Sequence, residues 1–246
     1  MPRPRSSAIW FTDEPDRRPR LSRERITRAA VDLLDVEGVQ GLSMRRLAAR
    51  LGAGTMSLYE YVSSREDVLD LATDAAIAEI EIDGIDGLPW REALSRQLRR
   101  SRQVMLRHPW LPALMATRPL LGPHALARSE LVYALLHRAG LAGPRLVAAV
   151  GALTYYVQGF TAMENAWRGQ QPDPAAEAEL RRQAQQYLDR RGEAHPTLAQ
   201  HADLGRDDFD ASFQLGLDVV LDGIAAQLGT AGPPADGSGA EGSGRS

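Results

Sequence analysis

The 246-residue chain is 43% apolar and 25% charged, proportions that suit one large globular domain or two small ones and exclude a disordered, collagenous or wholly membrane-embedded chain. It has no cysteine, which excludes disulfides, thiolate zinc sites, iron–sulfur clusters and a cysteine nucleophile and fits a reducing compartment. All 29 Lys and Arg positions are arginine, for a net charge of −3; gene base composition and selection for phosphate contacts both account for that bias.

Residues 1–20 mix five arginines, four prolines and three acids without periodicity and read as a flexible arm. The start MPRPRSSAIW lacks the apolar stretch of a signal peptide, so a cytoplasmic location is expected. From Leu21 the pattern is helical. Ser22 can cap a helix whose apolar face is Ile26, Ala29, Ala30, Leu33 and Leu34, with Gly38 as a left-handed stop. Ser43 caps a shorter helix through Leu51, Gly52 and Gly54 break the chain, and a further short helix runs from about Thr55 to Val62. Ser63 and Glu66 form a capping box for the next helix, which turns Val68, Leu69, Ala72, Ala76 and Ile80 inward and ends near Asp83 and Gly84. Further helices are expected from Trp90 to Arg107, Trp110 to Thr117, Pro123 to Ala139, Pro144 to Arg168, Pro174 to Arg191 and Asp207 to Leu228, with a loop at His195 and Pro196. From about Thr230 the sequence reads as linker. The expected fold class is therefore all-α, with nine or ten helices. Leu146 to Met163 runs 18 residues without a charge, the lower limit for a membrane span, but Thr154, Tyr155, Tyr156, Gln158 and Thr161 interrupt it. Burial as the central helix of a bundle is the expectation, with no membrane partner.

Between Arg17 and Arg65 ten arginines stand against five acids, a local balance of +5, so the rest of the chain carries −8. A basic module on an acidic body suits a polyanionic partner. Within it, SMRRLAARLGAGTMSLYEYV has helix-turn-helix anatomy. Leu47, Ala48, Leu51, Leu58 and Val62 make a buried seam, small Ala48 permits a close crossing, and Gly52 relieves the turn. On those residues alone, a chance helix–glycine–helix reads as well as DNA binding.

From Leu21 to about Ile80 the chain resembles the amino-terminal domain of the tetracycline-repressor (TetR) family of bacterial regulators. The resemblance rests on the first helix ending in EG, the register G-L-S-x-R-x-L-A-x-x-L-G followed by L-Y-x-x-V, and the capped fourth helix. MATRPLLG at Met115 to Gly122 and FQLGLDVVLDGIAAQL at Phe213 to Leu228 resemble the tetracycline-repressor branch more loosely. The resemblance implies a helix-turn-helix module at 21–66, an effector-binding and dimerising domain at 67–229, an arm at 1–20 and a disordered tail at 230–246. It implies a cytoplasmic, nucleoid-associated homodimer, a repressor released from a palindromic duplex by a small organic effector. It also implies that Arg45 reaches a base edge, where arginine can grip guanine O6 and N7. Thr55, Met56 and Ser57 fall at base-contact positions, and Tyr59, Tyr61 and Arg65 at phosphate-contact positions. Tyr59 can equally be partial core, and Glu60 either faces away from phosphate or accepts from a cytosine amino group.

In the family the larger domain binds the effector. Gln97, Ser101, Met105, Leu114 and Thr117 fall at positions similar to its pocket walls, and the uncharged helix adds Tyr155, Tyr156, Phe160, Met163 and Trp167; these aromatics also serve as plain core. That helix and the last one are expected to pair with their mates, with Gly216 and Gly223 permitting close approach. The magnesium-binding histidine and glutamate of the tetracycline repressor fall at Leu114 and Met163, with Glu164 one residue off. Leucine cannot hold magnesium, so no metal or other cofactor is expected. Two rivals stand: a regulator without a small-molecule effector, and a helical enzyme. The five histidines (108, 124, 137, 195 and 201) are scattered. No His-Glu-x-x-His helix, phosphate loop or nucleophile elbow occurs, so no catalytic residue is assigned.

Overall fold

The computed structural model describes residues 21–170, 173–203 and 208–230; the expected arm, the tail beyond Thr230 and Asp207 lie outside them. Among the described residues the secondary structure is helical, without strands. The helices are α1 (Arg23–Gly41), α2 (Met44–Leu51), α3 (Thr55–Leu58), α4 (Arg65–Ala78), α5 (Trp90–Arg107), α6 (Leu111–Thr117), α7 (Pro123–Arg138), α8 (Gly143–Gln170), α9 (Pro174–Asp189), α10 (Pro196–His201) and α11 (Phe209–Thr230).

Local chemistry sets most boundaries. The Ser22 hydroxyl accepts from Arg25 N and the Ser43 hydroxyl from Arg46 N, each satisfying an orphan amide at a helix start. Gly38 breaks α1 at φ 67°, and Gly52 ends α2 at φ 63°, left-handed conformations that favour glycine. Three expectations need correction. The third helix closes after Leu58, and Tyr59 to Tyr61 form a turn held by bonds from Tyr59 N to Met56 O (3.1 Å) and from Tyr61 N to Leu58 O (3.0 Å). That tightening brings Tyr61 and Val62 into the core before α4 begins. The capping box lies one residue later than Ser63 and Glu66. The Ser64 hydroxyl accepts from Asp67 N (3.1 Å) and the Asp67 carboxylate from Ser63 N (2.8 Å), while Glu66 faces arginines. The loop expected around His195 contains α10, which Pro196 opens at a first-turn position where a missing amide costs nothing.

Helix α4 is the shared wall of the molecule. It packs on α1 and on α6 and α7, burying Val68, Leu69, Ala72, Ala76 and Ile77. The expected wrapping of the uncharged helix fails. α8 packs against α5, α6, α7 and α11 along one side only, and just 22% of its most apolar window is buried within one chain. Its outer face keeps Val147, Tyr155 and Met163 in solvent, and Leu215 and Val219 of α11 are exposed as well.

Candidate functional site

Several polar groups of the head pair with one another, and others face outward. Leu47, Ala48, Leu58 and Val62 are buried, and half-buried Leu51 packs against them as the seam requires. Of the three arginines on α2, Arg46 pairs with Glu37 and Arg50 with Asp32 (3.3 Å). Arg45 is exposed and, among the described residues, makes no hydrogen bond or ion pair. Thr55 and Ser57 are half-buried at the start of α3, and Met56 between them is 78% exposed. Tyr59 and Glu60 are exposed on the turn that follows.

Two expected phosphate contacts are otherwise engaged. Tyr61 is buried in the head core, and its carbonyl accepts from Arg23 Nε (3.1 Å). Arg65 donates to the carbonyls of Leu42 (2.8 Å) and Val39 (2.6 Å), tying α4 to the α1–α2 junction. Sequence spacing could not show this, because the acceptors are backbone groups 23 and 26 residues away. Arg25, exposed and without a side-chain partner among the described residues, is a free cation of the head that motif reading missed; only the charge count marked it.

Ion pairs join head and body through α4. Arg118, in the α6–α7 connection, binds Asp70 (2.6 Å) and Glu66. The Asp74 carboxylate crosses to the start of α7 and accepts from Ala125 N (2.9 Å) and His124 N (3.4 Å), serving as the cap that Gly122 cannot supply. A Cβ at Gly122 would collide with Asp74, so glycine is required there. At the other end of α4, the His108 ring bridges Asp35 of α1 (2.7 Å) and Glu79 (3.1 Å), and Trp110 Nε1 donates to the same Asp35 (2.6 Å). The hydrogen bond from Arg118 holds the Glu66 carboxyl below its ordinary value. Burial alone would raise Glu79, but hydrogen bonds from Arg107 and His108 outweigh it and lower the carboxyl.

Beside α4 lies a largely apolar cleft of about 80 Å³, partly open to solvent. Its walls come from Ile77 of α4, Leu98, Ser101 and Met105 of α5, Met115 and Leu120 of the α6 region, and α7 and α8. Of the expected pocket residues, Ser101 and Met105 line it. Gln97 is buried behind the wall, where its side chain donates to Glu81 O (3.0 Å) and accepts from Arg128 (3.2 Å). Leu114 is core, and Thr117 is exposed with its hydroxyl turned back to Ala113 O (2.9 Å). Tyr156 and Phe160 are displaced to the α11 side. The Tyr156 hydroxyl donates to Phe213 O (2.7 Å), and the Phe160 and Phe213 rings sit 5.3 Å apart. Met163 points outward. At about 100° per residue, Val150, Leu153, Thr154, Val157 and Gln158 face the cleft while the aromatics fall on the neighbouring face. Arg128, Thr154 and Gln158 are wall residues that no motif or spacing marks.

Glu164 is fully buried and held by Arg102 at 2.9 Å through both oxygens, so it does not face the cleft as a ligand. Among the described residues no group of three His, Cys, Asp or Glu side chains could hold a metal ion. Gly216 packs beneath its own Tyr156, leaving Gly223 open and correcting the expectation that both face a second copy.

A braced, outward-facing reading turn, joined through a shared helix to a body with an apolar cleft, defines a DNA-binding transcriptional regulator of the helix-turn-helix class rather than an enzyme. Residues 26–72 match the family model for bacterial regulatory proteins of the tetR family, and residues 86–228 match the tetracyclin repressor-like C-terminal domain. The chain belongs to the TetR family. It is 42% identical over 224 residues to an HTH-type transcriptional regulator of Saccharopolyspora erythraea, covering 90% of this chain and 93% of that protein. It is 43% identical to the HTH-type transcriptional repressor DrrR1 of Streptomyces coeruleorubidus over 61% of this chain and 57% of that one. Its fold is similar to that of ActR from Streptomyces coelicolor in complex with actinorhodin, with a TM-score of 0.75 at 29% identity over 85% of this chain and 99% of ActR.

Proposed function

We propose that this regulator is a homodimeric repressor that holds a palindromic duplex in the cytoplasm, at the nucleoid, and is released by a small organic effector bound without metal. Residues 21–66 then form the reading head and 67–229 the sensory and dimerising body. The observation that carries the reading is that the cleft shares α4 with the head. Ile77 is part of the cleft wall, and the same helix packs on α1 and ties to it through Arg65 and His108. An effector that favours one placement of α4 would move the reading head by its differential affinity for two states, without competing for DNA. The ActR complex supports an organic effector, since actinorhodin is what that relative is named as binding. DrrR1, named a repressor, supports the sign of regulation.

Base reading falls to Arg45, Thr55, Met56 and Ser57, with Tyr59 on a phosphate; Tyr61 and Arg65 support the head from within. One head covers too few bases for useful selectivity, so two related by a twofold axis match a palindrome. The outer face of α8 supports pairing. Ala148, Ala152, Tyr155, Gly159, Ala162 and Ala166 alternate by fours and threes, the spacing of a helix–helix seam, and Ala148, Ala152, Tyr155, Gly159, Ala162 and Ala166 are exposed in one chain. Selection of bound sites from random duplex DNA, with light scattering for mass and a compound screen for release, tests the whole reading. Failure to select any sequence at low salt, or a monomer mass at micromolar concentration, refutes it. Release by tetracycline and magnesium that EDTA abolishes refutes the metal-free effector.

A further inference from the structure

The cleft holds a cation that the protein does not neutralise. Other buried guanidinium groups of the body meet carboxylates: Arg102 binds Glu164 (2.9 Å) and Asp210 (2.7 Å), Arg118 binds Asp70 and Glu66, and Arg181 binds Glu177 (2.9 Å). Arg128, partly buried on α7 and lining the cleft, has among the described residues only neutral acceptors, the side-chain oxygens of Gln97 (3.2 Å) and Ser101. Both acceptors are fixed in orientation. Gln97 spends its amide donor on Glu81 O, and Ser101 spends its hydroxyl proton on Gln97 O (2.6 Å), so each turns lone pairs to the guanidinium. A guanidinium has five N–H donors, and these contacts leave donors free for a guest.

Among the described residues no Asp or Glu lines the cleft; its other walls are aliphatic or thioether side chains with Ser129, Thr154 and Gln158 as scattered polar groups. Arg128 also borders an outer groove that includes Glu81 and Asp83, but Arg100 takes both of those carboxylates (3.5 and 3.8 Å). Burial lowers Arg128 only to about 10, which leaves it cationic at neutral pH.

We propose that the effector is an organic acid: an apolar, ring-sized body in the cleft carrying one anionic oxygen group, a carboxylate or an ionised acidic hydroxyl, that pairs with Arg128 as Gln97 and Ser101 hold it in place. This rests on the effector reading above and names the chemical class that reading leaves open. A buried cation gains most from a partner that is both charged and bidentate, and an uncharged analogue of the same shape leaves it unpaired.

The test uses the full-length protein and a panel of aromatic carboxylates with one to three fused rings, anthracene-2-carboxylate among them, each matched with its methyl ester. Binding is followed by calorimetric titration and by the shift in melting temperature. The expected result is at least tenfold tighter binding of an acid than of its ester to the wild type, with the preference abolished in Arg128→Met and partly restored in Arg128→Lys. Circular dichroism of both variants guards against misfolding, and the lysine variant keeps the test open if the methionine variant does not fold. Acids and esters that bind equally overturn the proposal while leaving the cleft a ligand site. A panel of which no member binds overturns it together with the effector reading.

Discussion

The head and the body place their uncommitted charge in opposite directions. In the head, Arg46, Arg50 and Arg65 are consumed by internal partners while Arg45 is left outside, where a polyanion can reach it. In the body, Arg102 and Arg118 are consumed and Arg128 is left on the wall of an apolar cleft. The difference teaches that positive charge alone does not mark a contact. What distinguishes a candidate contact is an arginine whose neighbours have left it unpaired, and whether solvent or a cavity lies before it.

The largest expected effect comes from cutting the junction between the two regions. Arg118→Ala strands the buried Asp70 carboxylate, so a loss of about 3–5 kcal/mol is expected in urea unfolding. Calorimetry sharpens the comparison: one transition in the wild type and two in the variant would show that this ion pair couples head to body. A loss under 1 kcal/mol would show that the junction does not depend on it.

Next, Leu47→Ala opens a cavity in the head, since Leu47 is fully buried there. A loss of about 2–4 kcal/mol is expected, with duplex binding failing before the cleft does. Equal weakening of head and cleft would break the claim that they are separate working parts.

Arg45→Ala should leave the melting temperature unchanged, because among the described residues the side chain has no partner to lose. It should cost about 1–3 kcal/mol of discrimination between a selected duplex and its single-base variants. In Arg65→Ala the order reverses, with stability falling first because the Val39 and Leu42 carbonyls lose their donor. Unaltered stability in Arg65→Ala, with a shallower salt dependence of binding, would return that residue to phosphate contact.

The smallest effect is on pH dependence. Glu66 and Glu79 are held below their ordinary value of 4.5 in the folded chain. The unfolded state therefore takes up protons first as pH falls, and the stability these groups supply is complete at neutral pH. It should decline from about pH 4.5 downward through the lower folded values. Urea midpoints measured from pH 6 to pH 3 should fall less in Glu79→Gln than in the wild type, and parallel curves would refute the assignment.

Much of the molecule was legible in the chain itself. Helix α5 falls at Trp90–Arg107 as the Pro and Gly punctuation predicts, Ser22 and Ser43 cap where their side chains can reach free amides, Gly38 takes the left-handed conformation expected of it, and Gly52 ends its helix as a chain break should. The reading turn followed from a local register in which each residue's role depends on neighbours within a few positions. The pocket did not. Ser101 and Met105 line the cleft, but Tyr156, Phe160 and Met163 do not, and no sequence signal points to Arg128.

Capping, periodicity and turn chemistry act over three or four residues, so the sequence alone determined most of the helices and their order, though not α10 or the early end of α3. Which face of α8 meets the cleft, and which arginine keeps its charge, depend on partners far away in the chain. Gln97 meets Arg128 31 residues on, and Glu164 finds Arg102 across 62. Only tertiary packing brings those groups together, and packing therefore decided which guanidinium faces the cleft and which glutamate is already spoken for.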